Sequence, residues 1–188
     1  MVEDLEWIFL LYSVPLSQMK NWLIETDRLG MRAFVPNDAP LIFELNSDPK
    51  VIQYTGDPAF QSFQEAREFL INYKDYEKNN MGRWAVFIKS TNEFIGFCGL
   101  KKHDDGMVDL GYRFMQKHWG KGYATESSMG CIEYAKNHLD LTEIIGRTSA
   151  KNTGSMNVLE KLGFQFSHRD ECNGLENAMI FRLDLRRP

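Results

Sequence analysis

Between Asp109 and Glu126 the chain passes from a strand pattern through Gly120-Lys121-Gly122 straight into a helical pattern. A Gly-x-Gly turn feeding a helix leaves the first helical N–H groups without backbone partners, and glycines let a ligand approach the main chain closely. Those amides, at the positive end of the helix dipole, suit a phosphate or pyrophosphate. Lys117 and Lys121 add positive charge beside them. The loop is not a P-loop, since G-x-x-x-x-G-K-[ST] is absent. Nor is it a dinucleotide fingerprint, because Thr125 stands where G-x-G-x-x-G needs a third glycine or alanine.

The segments around this turn alternate in period. Residues 22–34 read as one strand and Pro36-Asn37-Asp38 as a turn; Asp38 is a candidate cap for a short helix with Leu41, Ile42 and Leu45 on one face. Ser62 and Glu65 have capping-box spacing and open a helix whose apolar positions Phe63, Ala66, Phe69, Leu70 and Tyr73 recur at helical intervals. Residues 84–88, 94–100 and 107–114 read as a meander of strands, with turns at 90–92 and 103–106. A helix over 120–138, a strand over 143–148, a helix over 152–162 stopped by Gly163, and strands over 164–166 and 178–185 complete the chain. The class is mixed α/β.

A length of 188 residues suits one domain of ordinary size, and 43% hydrophobic with 13% aromatic residues is ample for a core. With 22 Lys+Arg against 26 Asp+Glu the net charge is −4, and no basic run favours nucleic acid. Cys98, Cys131 and Cys172 form no CxxC pair and, with four histidines, offer no zinc spacing, so reduced thiols in a cytoplasmic protein without a metal are expected. The apolar run from Trp7 to Tyr12 is broken by Ser13 and Pro15, far short of the ~20 residues that span a bilayer. Glu3, Asp4 and Glu6 stand where a signal peptide carries positive charge. Residues 1–22 are therefore expected to be an extension packed on the domain of 23–188, or on a second copy in a homodimer, with no membrane contact.

Lys117-His-Trp-Gly-Lys-Gly-Tyr-Ala124 resembles the acyl-CoA pyrophosphate loop of the GNAT N-acetyltransferases, [QR]-x-x-G-x-[GA], with Lys117 in place of Gln or Arg. Asn152-Thr-Gly-Ser-Met-Asn-Val-Leu-Glu-Lys-Leu-Gly-Phe164 resembles the second motif of the ribosomal-protein N-terminal acetyltransferase branch. Glu25-Thr-Asp-Arg-Leu-Gly-Met-Arg32 and Ile95-Gly-Phe-Cys-Gly-Leu100 are similar to that branch's first and central strands. The likeness runs from about Leu23 to the C-terminus.

The resemblance implies a twisted, mostly antiparallel sheet with a central parallel splayed pair and about four flanking helices. It implies transfer of acetyl from acetyl-CoA to a primary amine, first a protein N-terminal α-amine. The alternatives are a small-molecule amine or a CoA-binding module without turnover. Cofactor contacts would come from Lys117, Trp119, Gly120, Lys121, Gly122, Tyr123 and Ala124, from amides near Phe114 and Met115 on the pantetheine and thioester oxygen, and from Asn152 and Asn157. Asn152 has a helix cap as its other reading. Many relatives carry a tyrosine general acid where this chain has Leu159; the ribosomal-protein branch has a serine in that role at the position of Ser155, so the resemblance implies Ser155 as the acid, its other reading being an ordinary first-turn residue. Asp109 is the candidate base, acting through water, or else a solvated strand carboxylate; the loop histidines His103 and His118 are further bases. Trp84, Phe87, Phe94 and Phe97 are expected in the core and the acceptor-cleft wall.

Overall fold

The computed structural model describes residues 22–172 and 175–186, so the Trp7–Tyr12 run lies outside the described residues. The domain begins as a hairpin, β1 (Ile24–Glu25) and β2 (Leu29–Arg32), where sequence alone reads one strand. Thr26 makes the difference. Its N–H donates to the Leu29 carbonyl at 2.9 Å and its hydroxyl accepts from the Leu29 N–H at 3.1 Å, closing a turn that periodicity does not reveal.

Four helices follow: α1 (Ala39–Ser47), α2 (Pro49–Ile52), α3 (Phe63–Asn72) and α4 (Asp75–Asn79). Asp38 precedes α1 but does not cap it. Its carboxylate instead holds Arg32 at 2.6 and 2.8 Å and accepts from the Val35 N–H at 2.9 Å. Ser62 does cap α3, accepting from the Glu65 N–H at 3.1 Å, while Glu65 reaches back to the N–H of Gln61.

The meander is β3 (Arg83–Ile88), β4 (Glu93–Lys102) and β5 (Val108–Phe114). Helix α5 (Tyr123–His138) leads to β6 (Glu143–Ser149), and α6 (Thr153–Lys161) leads to the hairpin of β7 (Gln165–Cys172) and β8 (Leu175–Asp184). Gly163, at φ +87°, ends α6 in the left-handed conformation expected there. Strand β7 runs past the expected 164–166. It is an edge strand whose residues up to Glu171 are exposed, so no buried face imposes an alternation on its sequence.

The sheet order is β1-β2-β3-β4-β5-β6-β8-β7. Every adjacent pair is antiparallel except β5 and β6, whose register is the single pair Asp109–Ile145. Parallel neighbours need a crossover, and α5 supplies it. On one face Trp84, Val86, Ile95, Cys98 and Leu100 pack with Cys131, Ile132 and Ala135 of α5. On the other, Ala85, Phe87 and Phe94 meet Leu45 of α1 and Val51 of α2. Coverage on both faces is why β3 reads as an unbroken apolar run. The free thiols of Cys98 and Cys131 are buried, 3.6 Å apart.

Candidate active site

Beyond the Asp109–Ile145 pair, β5 and β6 separate around a cavity of about 500 Å³. Five consecutive residues of β5, from Asp109 to Arg113, line it. Successive strand side chains point to opposite faces, so a cavity touching all five is bordered by residues of both faces of the sheet. One wall carries Thr148 with Asn152, Ser155 and Leu159; the other carries Phe97 and, from the helical layer, Phe60, Phe69 and Tyr73.

At the C-terminal end of β5 a 3-10 turn, Gln116–His118, leads to Gly120 and Gly122, at φ +73° and +81°. Those angles account for both glycines, since L side chains rarely adopt them. Gly122 is the N-cap of α5 and has no side chain to offer. The first-turn N–H groups of Tyr123, Ala124 and Thr125 are left for an outside acceptor. A clamp holds the loop. Arg28 donates from Nε to Glu126 Oε2 at 2.6 Å, from its backbone N–H to Oε1 at 2.9 Å, and from Nη1 to the Lys121 carbonyl at 3.1 Å. Thr26 donates to the same Oε1 at 2.6 Å, and the Arg28 guanidinium lies 4.6 Å over the Tyr123 ring.

Other expected contacts are only partly brought to this place. The Trp119 indole N–H donates to the Phe114 carbonyl at 2.7 Å, tying loop to strand. Lys117 is ion-paired with Glu93 at 2.7 Å, and the buried His118 lies 3.2 Å from the same carboxylate, outside the cavity lining. The Met115 N–H is already spent on the Ile95 carbonyl at 3.0 Å. Strand alternation then turns the Phe114 N–H the other way, toward the gap beside β6. Asn157 is exposed and does not line the cavity.

Asp109 is buried rather than solvated. Its Oδ2 accepts from Arg83 Nη2 at 2.7 Å and its Oδ1 lies 2.5 Å from His103 Nε2. Arg83 also donates to the carbonyls of Gly99 at 2.5 Å and Asp109 at 3.1 Å. Gly111 makes that reach feasible, because a Cβ there would stand 2.5 Å from the guanidinium carbon. Burial raises the Asp109 carboxyl, but Arg83 and His103 outweigh it and hold the pKa at about 2. A carboxylate held so low is a weak proton acceptor at neutral pH. The cavity's other carboxylates are also engaged, Asp57 with Arg113 at 2.5 Å and Glu65 with the Gln61 N–H.

Ser155 and Tyr112 meet across the cavity. Their hydroxyls are 3.0 Å apart, and the Tyr112 hydroxyl is also 3.0 Å from the Ser155 carbonyl. Asn152 caps α6, its Oδ1 accepting from the Ser155 N–H at 3.0 Å. Leu159 is 1% exposed, lies against Gly146 and gives the cavity wall an apolar side chain with no proton to donate. Burial pushes the Tyr112 phenol above its ordinary range, so it stays protonated. Among the described residues no cluster of three His, Cys, Asp or Glu is placed to hold a metal, and no helix is long and apolar enough to cross a membrane.

The sequence profile of the acetyltransferase (GNAT) domain matches residues 28–165, a span that holds the glycine loop, the parted strands and α6. The chain belongs to the GNAT acetyltransferase family. This N-acetyltransferase is 32% identical over 143 residues to the uncharacterized N-acetyltransferase p20 of Bacillus licheniformis, a match covering 74% of this chain and 80% of that one. Among solved structures it is similar to RimL, a ribosomal L7/L12 alpha-N-protein acetyltransferase in complex with coenzyme A. That match has TM-score 0.75 and 16% identity, and covers 87% of this chain and 98% of that one. It is also similar to the spermidine N-acetyltransferase of Vibrio cholerae in complex with CoA and spermine, with TM-score 0.71, 19% identity and coverage of 85% and 97%. At those identities the likeness is one of fold.

Four features of this acetyltransferase escape a reading of the sequence. The Arg28–Glu126 clamp joins residues 98 apart in the chain, although each lies in a segment that carries the family resemblance. Arg83 gives no signal beyond a charge at the start of an apolar strand. Tyr112 brings a phenol to Ser155 from β5, not from α6 where Leu159 stands. Arg113, bonded to Asn46 Oδ1 and Asp57 Oδ2 at 2.5 Å each, ties β5 to the helical layer.

Proposed function

We propose that this enzyme transfers acetyl from acetyl-CoA to a protein N-terminal α-amine. The observation that carries the reading is the cavity at the parted β5 and β6, bordered by residues of both faces of the sheet, where two substrates would meet in the gap between the strands. Holding both reactants there supplies much of the rate by proximity. The Gly120–Gly122 loop and the first turn of α5 would take the pyrophosphate on backbone amides, with Lys121 adding charge. The Phe114 N–H would bond the pantetheine or the thioester oxygen, where a fixed donor stabilises charge as it develops. Ser155 is the hydroxyl available to the departing thiolate.

The choice of acceptor follows from the electrostatics of the wall. Asp57 and Asp109 are ion-paired with arginines, which leaves Glu65, bonded only to a backbone N–H, as the single carboxylate of the described lining without a cationic partner, too little to hold a polycation. An α-amine, with a pKa of about 7.7–8.0, is partly neutral at physiological pH and needs no such wall. The coenzyme-A-bound ribosomal-protein enzyme of the same fold supports this reading. The test measures thiol release from acetyl-CoA with peptides bearing a free α-amine, N-blocked peptides containing lysine, free amino acids and spermidine. Turnover with the free-amine peptides, and an acetyl group found on their α-nitrogen, is expected. Turnover on spermidine with none on the peptides overturns the choice.

A further inference from the structure

We propose that His103 is the general base of the transfer, with Asp109 and Arg83 as its positioning residues, an inference that rests on the acetyl-transfer reading of the cavity. His103 begins the tight turn between β4 and β5. Its N–H donates to the Met107 carbonyl and its carbonyl accepts from the Gly106 N–H, each at 2.9 Å. Its ring lines the same cavity as Gly111, Tyr112 and Ser155, with the side chain 18% exposed. Nε2 lies 2.5 Å from Asp109 Oδ1, whereas Nδ1 makes no hydrogen bond among the described residues and is not sealed from solvent.

That geometry places one proton. An ionised carboxylate can only accept, so Nε2 carries a proton, and whenever the ring is neutral its lone pair is on Nδ1. Arg83 keeps Asp109 ionised and fixes its second oxygen. A carboxylate behind an imidazole in this way orients the ring and steadies the imidazolium that forms when the ring takes a proton. Asp109, the base expected from sequence, thus acts through His103. The charged groups around the ring are Asp109 on β5, Arg83 on β3, Lys101 on β4, Asp105 in the turn and Arg147 on β6; Arg147 and Asp105 are paired at 3.0 Å.

In the step itself the amine nitrogen attacks the thioester carbon, and a C–N bond forms. The proton this nitrogen sheds passes through water in the cavity to His103 Nδ1. The C–S bond then breaks, its electron pair leaves on the coenzyme A sulfur, and that sulfur is protonated by solvent directly or by Ser155, which regains its proton from water. His103 returns its proton to water.

The test compares His103→Ala and His103→Gln with the wild type, using acetyl-CoA and a short peptide amide with a free α-amine. Both variants are expected to lose about 10²-fold or more in kcat with acetyl-CoA affinity unchanged; His103→Ala should melt lower because Asp109 loses a donor, whereas His103→Gln keeps one. Free imidazole should restore His103→Ala in proportion to its concentration. Glutamine keeps an N–H for Asp109 but has no basic nitrogen, so a purely structural role would leave His103→Gln active. Near-normal kcat in His103→Gln, or a slow His103→Ala that imidazole does not rescue, overturns the assignment while acetyl transfer stands. A wild-type protein that acetylates neither the peptide nor spermidine overturns the acetyl-transfer reading, and this proposal with it.

Discussion

Asp109→Asn preserves the shape of the side chain and removes its charge, leaving the Arg83 guanidinium, only 18% exposed, without a counter-ion. Two routes give the size of the effect. The carboxyl sits at about 2 rather than its ordinary 3.8. At ~1.36 kcal/mol per pKa unit, its ionised form gains about 2 kcal/mol on folding. Removing one partner of a buried ion pair costs about 3–5 kcal/mol, and asparagine, which can still accept from Arg83, should fall at or below the low end. The expected loss at neutral pH is therefore about 2–3 kcal/mol. The folded-state pKa is depressed, so this stabilisation is fully present above the unfolded-state pKa and disappears as pH falls from about 4 toward 2. Urea denaturation of both proteins across that range should show a gap at neutral pH that narrows as the wild-type carboxylate protonates. A neutral-pH difference below about 0.5 kcal/mol, the scale of an ordinary surface substitution, would refute the pairing argument. So would a gap that does not change with pH.

Gly122→Val forces a β-branched residue to φ +81°, with its Cβ 3.4 Å from Arg28 Nη2. Acetyl-CoA affinity measured by calorimetry should fall at least ~10-fold in a folded protein, since the strain of about 1–2 kcal/mol is local to the loop; near-normal affinity would remove the loop from the cofactor site. Ser155→Ala should lower kcat by about 10²-fold with little change in the acetyl-CoA KM if the hydroxyl protonates the leaving thiolate, and a lower melting point with unchanged kcat would leave solvent as the donor. Glu126→Gln keeps an acceptor for Thr26 but loses the charge that holds Arg28. The acetyl-CoA KM should rise several-fold while stability falls by no more than about 1 kcal/mol, because Arg28 is half exposed; an unchanged KM would show that the clamp does not set the loop.

Local rules carried the sequence a long way. The glycine turn, the cap at Ser62, the stop at Gly163 and the change of period at the meander each depend on a few adjacent residues, and their backbone conformations follow from chemistry that is visible in order along the chain. The resemblance added the parallel splayed pair, which no local pattern encodes. Where sequence and structure part, a second segment intervenes. Asp38 reads as a cap, but Arg32 lies within reach once the β2 strand has formed. Met115 reads as a free amide, but β4 takes its hydrogen bond.

The site shows the same division more sharply. That Asp109 and His103 stand near a turn is legible in the sequence, yet both remain open as bases there. Their roles are separated only when Arg83 is folded over Gly111, because the protonation of a buried carboxylate depends on which charges lie within a few ångströms of it and not on its neighbours in the chain. Composition, period and turn chemistry determined the class of fold and the place of the glycine loop at the start of α5. The charge state of the cavity, on which the proposed base and acceptor rest, was decided by tertiary contacts alone, since electrostatic energy falls with distance through space while sequence records only distance along the chain.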